Sequence, residues 1–260
     1  MKSYYERFKD SSQSALDAIF STACRNGDLE LAKYVSSSKE IENHANIKMY
    51  YKSSIHEASE DGHLEIVKFL LSFPYYKQIN PSDNLILISA CGNGHLEIAK
   101  YLLTHPDFKD YFSNYDDLGL ALQAACEDGH LEVVRYLLTS NEIKENADIF
   151  YREDAALTAP IVSNQLDVIK YLLTSPELKE HPKLYTKKSS AFYLALKFNQ
   201  TDVIKFFIFD MDIEKNKDIE KYLLDSPNEE VENMFKMRDL NKDLSNNLVN
   251  NNKNNKKTKL

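Results

Sequence analysis

The phrase "EDGHLEIVKFLLSF" at residues 60–73 returns as "GNGHLEIAKYLLTH" at 92–105 and as "EDGHLEVVRYLLTS" at 127–140. Repetition at a fixed period constrains a fold more than composition does, because each copy is one supersecondary unit whose apolar faces only its neighbours can cover. Anchored on the glycine, equivalent positions are Gly27, Gly62, Gly94, Gly129, Asn164 and Asn199, at spacings of 35, 32, 35, 35 and 35. Both exceptions are Asn, the residue that best tolerates positive φ after Gly, so the position requires a left-handed turn.

The residues around the anchor read as two short helices. Four before it stand Ala23, Ala58, Ala90, Ala125, Pro160 and Ala195; three before it, Cys24, Ser59, Cys91, Cys126, Ile161 and Leu196. Seven before it are Phe20, Ile55, Leu87, Leu122, Leu157 and Phe192, which completes one apolar helix face with small side chains for close approach. After the turn, Leu29, Leu64, Leu96, Leu131 and Leu166 open a second helix that is apolar nearly all round. Its charged positions, such as Glu65 and Lys68, form an i,i+3 pair on an exposed stripe. Such a helix must be covered on both flanks, which stacked helix pairs provide.

The phrase A-C-x-x-G-H-L-E-[IV]-[AV]-[KR]-[YF]-L-L at 90–103 and 125–138 resembles the ankyrin repeat, and weaker versions extend over roughly 15–213. The resemblance implies an all-α solenoid of about six helix-turn-helix repeats whose projecting loops and concave rim bind other proteins, without catalysis. The chain also departs from the family pattern. The T-P-L-H opening is absent, "SSIH" at 53–56 being the nearest, and "SFPYY", "THPDF" and "TSPEL" stand where G-A-D is usual. Pro74, Pro106 and Pro176 fall just past each second helix, and Tyr76, Phe108, Ile143 and Leu178 offer an apolar foot for docking the loop. The expected organisation is a solenoid over 1–213, a helical cap over 214–240 and a disordered Asn/Lys-rich tail over 241–260.

Composition narrows the function classes. Hydrophobic residues make up 43% of the chain, enough for a core, yet the longest apolar stretch, "VIKFFIF" at 203–209, is far short of the roughly 20 residues that cross a bilayer. The first residues, "MKSYYERFKDSSQSALDAIF", lack the apolar run of a secretory signal, and three cysteines argue against a disulfide framework. A cytoplasmic, monomeric protein is expected. Net charge is -8, and with five Lys against one Asp in 241–260 the remainder sums to about -12, which disfavours nucleic acid. The "LLTSPELKEH" phrasing and Asn-rich end are similar to ankyrin proteins of amoebae, their giant viruses and bacteria that live inside them, which implies a secreted effector acting on a host protein in a host cytosol.

Each chemical motif has a conformational explanation. The three cysteines share one repeat position, where Ser59, Ile161 and Leu196 substitute, as a packed interior position allows and a hydrolase nucleophile does not. His63, His95 and His130 follow the glycine in successive copies and become Gln165 and Gln200 later, the pattern of a side chain bonding between loops. Repeats stacked roughly 10 Å apart hold the imidazoles too widely for one metal ion. "CGNGHLE" at 91–97 lacks the third glycine of a dinucleotide fingerprint. No cofactor, metal or small-molecule substrate is expected; the alternative is a cryptic cysteine hydrolase within the stack.

What packing leaves free is the pair before the turn: Arg25-Asn26, Glu60-Asp61, Gly92-Asn93, Glu127-Asp128, Val162-Ser163 and Lys197-Phe198. Loop tips add Tyr50, Tyr51, Tyr111, Tyr115, Phe150, Tyr151, Arg152 and Tyr185, of residue types favoured as interface anchors. The candidate partner-binding residues are therefore Tyr50, Tyr51, Glu60, Asp61, Asn93, Asp116, Asp117, Glu127, Asp128, Tyr151 and Arg152. Their acidic balance calls for a partner with a basic surface.

Overall fold

The computed structural model describes residues 8, 10–39, 43–75, 85–113, 115–143, 146–184, 191–225 and 227–257. Among them every regular element is helical. The chain divides into two compact units, 1–182 and 183–260, a division that falls between the fifth and sixth hairpins and not at the 213/214 junction expected from the sequence.

The first unit holds five hairpins: α1 (Gln13–Arg25) with α2 (Leu29–Ser37), α3 (Ile47–Glu60) with α4 (Leu64–Leu71), α5 (Leu85–Gly92) with α6 (Leu96–Thr104), α8 (Tyr115–Glu127) with α9 (Leu131–Thr139), and α10 (Tyr151–Val162) with α11 (Leu166–Thr174). A one-turn helix, α7 (Lys109–Phe112), lies in the loop after the third. First helices pack on first helices in chain order, α1 on α3, α3 on α5, α5 on α8 and α8 on α10, and second helices follow suit from α2 to α11. The alanines four before the turn are the reason these axes approach closely: Ala23, Ala58, Ala90 and Ala125 are fully buried, with Ile55, Leu87 and Leu122 one turn away. Each buried Leu or Ile contributes about 1.5–3 kcal/mol, so the shared interfaces carry the stability. Side-chain caps begin α1, α2 and α3, where Ser12, Asp28 and Asn46 accept from the backbone N–H three residues on. The expected loop feet are in place, with Phe108 and Ile143 buried and Leu178 half-buried; Tyr76 lies outside the described residues.

The second unit contains the sixth hairpin, α12 (Ala191–Lys197) and α13 (Thr201–Lys205), the latter passing into a π-helical turn at Phe206–Asp210. Two further helices follow, α14 (Lys217–Asp225) and α15 (Glu229–Lys257). The Phe192 ring lies 6.1 Å from that of Phe207 and 5.9 Å from that of Phe235, so the start of α15 covers the hairpin. Lys215 pairs with Glu232 at 2.9 Å and the Arg238 guanidinium donates to the Ile213 carbonyl, fixing α15 to the segment before α14. One expectation fails here. Residues 241–257, expected to be disordered, continue α15 as helix. The anchored turns at Val231, Met234 and Phe235 supply the nucleus, and extension from a formed helix costs little per residue even in a polar sequence.

Candidate partner-binding face

The left-handed turn is present in all six copies: φ is +74° at Gly27, +80° at Gly62, +78° at Gly94, +82° at Gly129, +61° at Asn164 and +53° at Asn199. The amide after each turn donates to the carbonyl five residues earlier, as from His63 to Ala58 and His95 to Ala90, both at 2.8 Å, which satisfies the end of the first helix. Glycine has a second reason to be there. A β-carbon on Gly62 or Gly94 would stand 2.5 Å from the imidazole of His95 or His130, and one on Gly27 2.6 Å from that of His63. On Gly129 the neighbour is the Gln165 amide, at 2.3 Å. His63, His95, His130 and Gln165 each thus lie over the turn of the preceding copy. His95 Nε2–H also donates to the Glu60 carbonyl at 2.7 Å, the inter-loop bond anticipated from the His/Gln exchange.

The cysteines sit between helices, fully buried. Burial pushes the Cys24 thiol up to about 12 and raises Cys91 and Cys126 for the same reason. A thiol held protonated in this way is a poor nucleophile at neutral pH.

The exposed face of the first helices carries a cleft of about 410 Å³ between α3 and α5, lined by Met49, Lys52, Ser53, Ile55, His56, Glu57, Leu85 and Ile86. Met49 is 70% exposed and Leu85 47%, so two large apolar side chains stand open at its edges. Arg25 bridges to Glu57 at 2.8 Å and tethers the first copy to the second. His56 Nε2 is 2.9 Å from Ser89 Oγ, and His56 Nδ1 is 3.8 Å from Glu60 Oε2. Acid, imidazole and hydroxyl stand in relay order. The acid is beyond hydrogen-bond length, however, and Ser89 is mid-helix, where backbone amides are committed to the helix ladder and leave no oxyanion donor. The Ser89 contact ties α3 to α5.

The candidate rim residues separate into two groups. Glu60, Asp61, Asn93, Asp116, Glu127, Asp128 and Arg152 are exposed, and Tyr50 is half-buried. Tyr51, Asp117 and Tyr151 are buried and are removed from the binding surface. Tyr51 meets Tyr75 edge-on at 5.7 Å, and Tyr151 lies on Gly119, where a β-carbon would come within 2.3 Å of its ring. An aromatic near the start of a first helix, as Tyr51 one turn in and Tyr151 at the first position, points between copies, where its area is covered, and sequence position alone does not distinguish that from a loop tip. Around Tyr151 the tip is a closed network. Tyr151 Oη donates to Asp116 at 3.1 Å, Tyr115 Oη donates to Asp148 at 2.9 Å, and the Arg152 guanidinium covers the Tyr151 ring at 5.2 Å. The bond to Asp148 and burial of Tyr151 raise both phenols above their usual range. Tyr185 lies outside the described residues.

The [KR]-[YF] step of the repeated phrase has a role that its letters do not state. Seven residues after the anchor every copy has an aromatic: Tyr34, Phe69, Tyr101, Tyr136, Tyr171 and Phe206. Preceding each is Lys33, Lys68, Lys100, Arg135, Lys170 or Lys205. Lys68 Nζ lies 5.7 Å from the Tyr101 ring of the next copy and Arg135 5.4 Å from that of Tyr171. The same cations pair within their helices, Lys68 with Glu65 at 2.7 Å and Arg135 with Glu132 at 3.6 Å. The recurrence of cation and ring in adjacent columns is the sequence signal for this contact between copies.

Among the described residues no helix is long and apolar enough to cross a membrane. Comparison with curated proteins finds no match. The family model for ankyrin repeats (3 copies) matches residues 20–112 and 109–183, which span the first-helix and turn geometry described above. With more than half its length so matched, and with the same hairpin repeated in space, the chain belongs to the ankyrin-repeat family.

Proposed function

We propose that the first-helix face of residues 1–182 binds a protein segment that carries an apolar side chain and a basic one. Ankyrin repeats indicate a protein-interaction scaffold, and the finer assignment rests on one observation: the open apolar cleft of Met49 and Leu85 is walled on one side by α3, whose last residue and cap are the exposed carboxylates Glu60 and Asp61. Glu127 and Asp128 repeat the acidic pair two copies on, so a basic partner meets opposite charge at both sites. Action in a host cytosol, implied by the sequence phrasing, requires export, which a translocation reporter fused to the chain would detect.

Charge reversal tests the site. Glu60→Lys with Asp61→Lys is expected to weaken capture of a binding partner about tenfold or more, through loss of two complementary charges, with the melting temperature unchanged. Titration of an identified partner against both proteins measures this. Equal affinity for the two would refute the assignment.

A further inference from the structure

A helix that packs one face on a hairpin ordinarily turns polar residues outward, and α15 does not. Met237, Leu240 and Leu244 are 59%, 60% and 54% exposed, and spacings of three and four place them on one stripe of the helix. This stripe is distinct from the buried one of Val231, Met234, Phe235 and Arg238 that faces the sixth hairpin. Beside it is a groove of about 560 Å³ walled by Phe209, Met234 and Met237, with Glu229, Glu230 and Asn233 at its edge. From Asn241 to Asn246 every residue is exposed, and an Asn-rich helix without packing is marginal in water.

We propose that this stripe joins two copies of the chain as an antiparallel helix pair. Charge decides the orientation. With Met237 and Leu244 at a and Leu240 at d of a heptad, Lys236 and Asp243 occupy successive g positions. Antiparallel helices set g against g, so when Met237 meets Leu240 of the second copy, Lys236 of each copy stands beside Asp243 of the other. A parallel pair sets g against e, where Asn241 offers no charge, and brings both sets of Glu229, Glu230 and Glu232 together. The antiparallel register also carries Leu244 of the second copy to Asn233, at the mouth of the groove beside Phe209 and Met237. One arrangement therefore occupies the stripe and the groove and pairs the flanking charges. The contact is small, so the dimer is weak and concentration-dependent.

Sedimentation velocity of the full chain, from about 10 to about 500 μM, tests the pairing through the mass-action shift it predicts. The weight-average mass is expected to rise from monomer toward dimer. Leu240→Asp and Leu244→Asp, at exposed positions, are expected to stay monomeric throughout with unchanged far-UV dichroism and melting temperature. Lys236→Glu is expected to weaken the dimer about fivefold or more at low salt, and adding Asp243→Lys to restore it. A monomer at every concentration, or a dimer indifferent to Leu240→Asp, overturns the interface. A charge swap that fails to restore association overturns the antiparallel orientation. The outcome is independent of the cleft on the first unit, whose residues these variants leave intact.

Discussion

The hairpins of residues 1–182 and the helices of 213–246 both have apolar helix surfaces to cover, and they do so differently. In the first unit each copy covers the one before it, and the same few positions serve: alanine at the close approach, replaced once by Pro160, glycine at the turn, replaced once by Asn164, and histidine or glutamine over the preceding glycine. In the second unit a single hairpin is covered by helices that follow no period, held by individual contacts such as Phe192 with Phe235 and Lys215 with Glu232. A periodic solution leaves its variable positions at the edge, where charge and small clefts collect. The aperiodic one leaves an apolar stripe on the exposed side of α15.

If the comparison is right, the anchor of the first unit is its most sensitive position. Gly94→Val places a branched side chain at positive φ and into the His130 imidazole, and is expected to destabilise by roughly 3 kcal/mol, read from the shift of a urea transition. A loss below about 1 kcal/mol would show that the turn relaxes and that the joint is looser than its geometry implies.

The buried thiols give the next effect. Their pKa is higher folded than unfolded, since burial disfavours the thiolate, so they add stability below the unfolded value near 9 that is lost as pH rises toward the folded value of about 12 at Cys24. Stability is therefore expected to be flat through neutral pH and to fall by up to about 1.4 kcal/mol per pH unit for each thiol above it. Alkylation at pH 8 should leave all three unlabelled in the native chain and label them in urea; rapid native labelling would show that the first-helix interfaces open.

A smaller effect belongs to the loop stitch. His95→Ala removes the bond to the Glu60 carbonyl and is expected to cost about 1 kcal/mol, whereas His95→Gln, the residue later copies use, is expected to cost less than half of that. Equal losses would mean that the imidazole acts through packing on Gly62 alone. Smallest is Lys68→Met, which breaks an exposed cation–π contact with Tyr101 and the pair with Glu65 and is expected to shift stability by about 0.5 kcal/mol.

Most of the first unit is readable from its letters, because one conformational demand is written five times in it and once more in the sixth hairpin. Asn at 164 and 199 was the informative letter, since only an unusual φ explains Gly and Asn sharing a column, and both positions have it. The interior role of Cys24, Cys91 and Cys126 followed from Ser, Ile and Leu at the same place, and their burial agrees. Tyr51 and Tyr151 were misplaced because an aromatic near a loop has the same composition whether it faces water or a neighbouring helix. The end of α15 was missed because composition reports what a segment can bury, not what helix it grows from. The stripe of Met237, Leu240 and Leu244 has no repeat to expose it, and it becomes visible only once the other side of α15 is known to be occupied.

The after-turn side chain resting on the previous glycine has an evolutionary consequence. Since the after-turn contact between neighbours consists of one residue from each, and every internal copy brings both halves, duplicating a 35-residue segment anywhere between Gly94 and Gln165 would bring its own matching connection. A gene built on such a unit can lengthen or shorten by unequal crossing-over without redesigning any boundary, and copy number becomes the quantity easiest for selection to adjust.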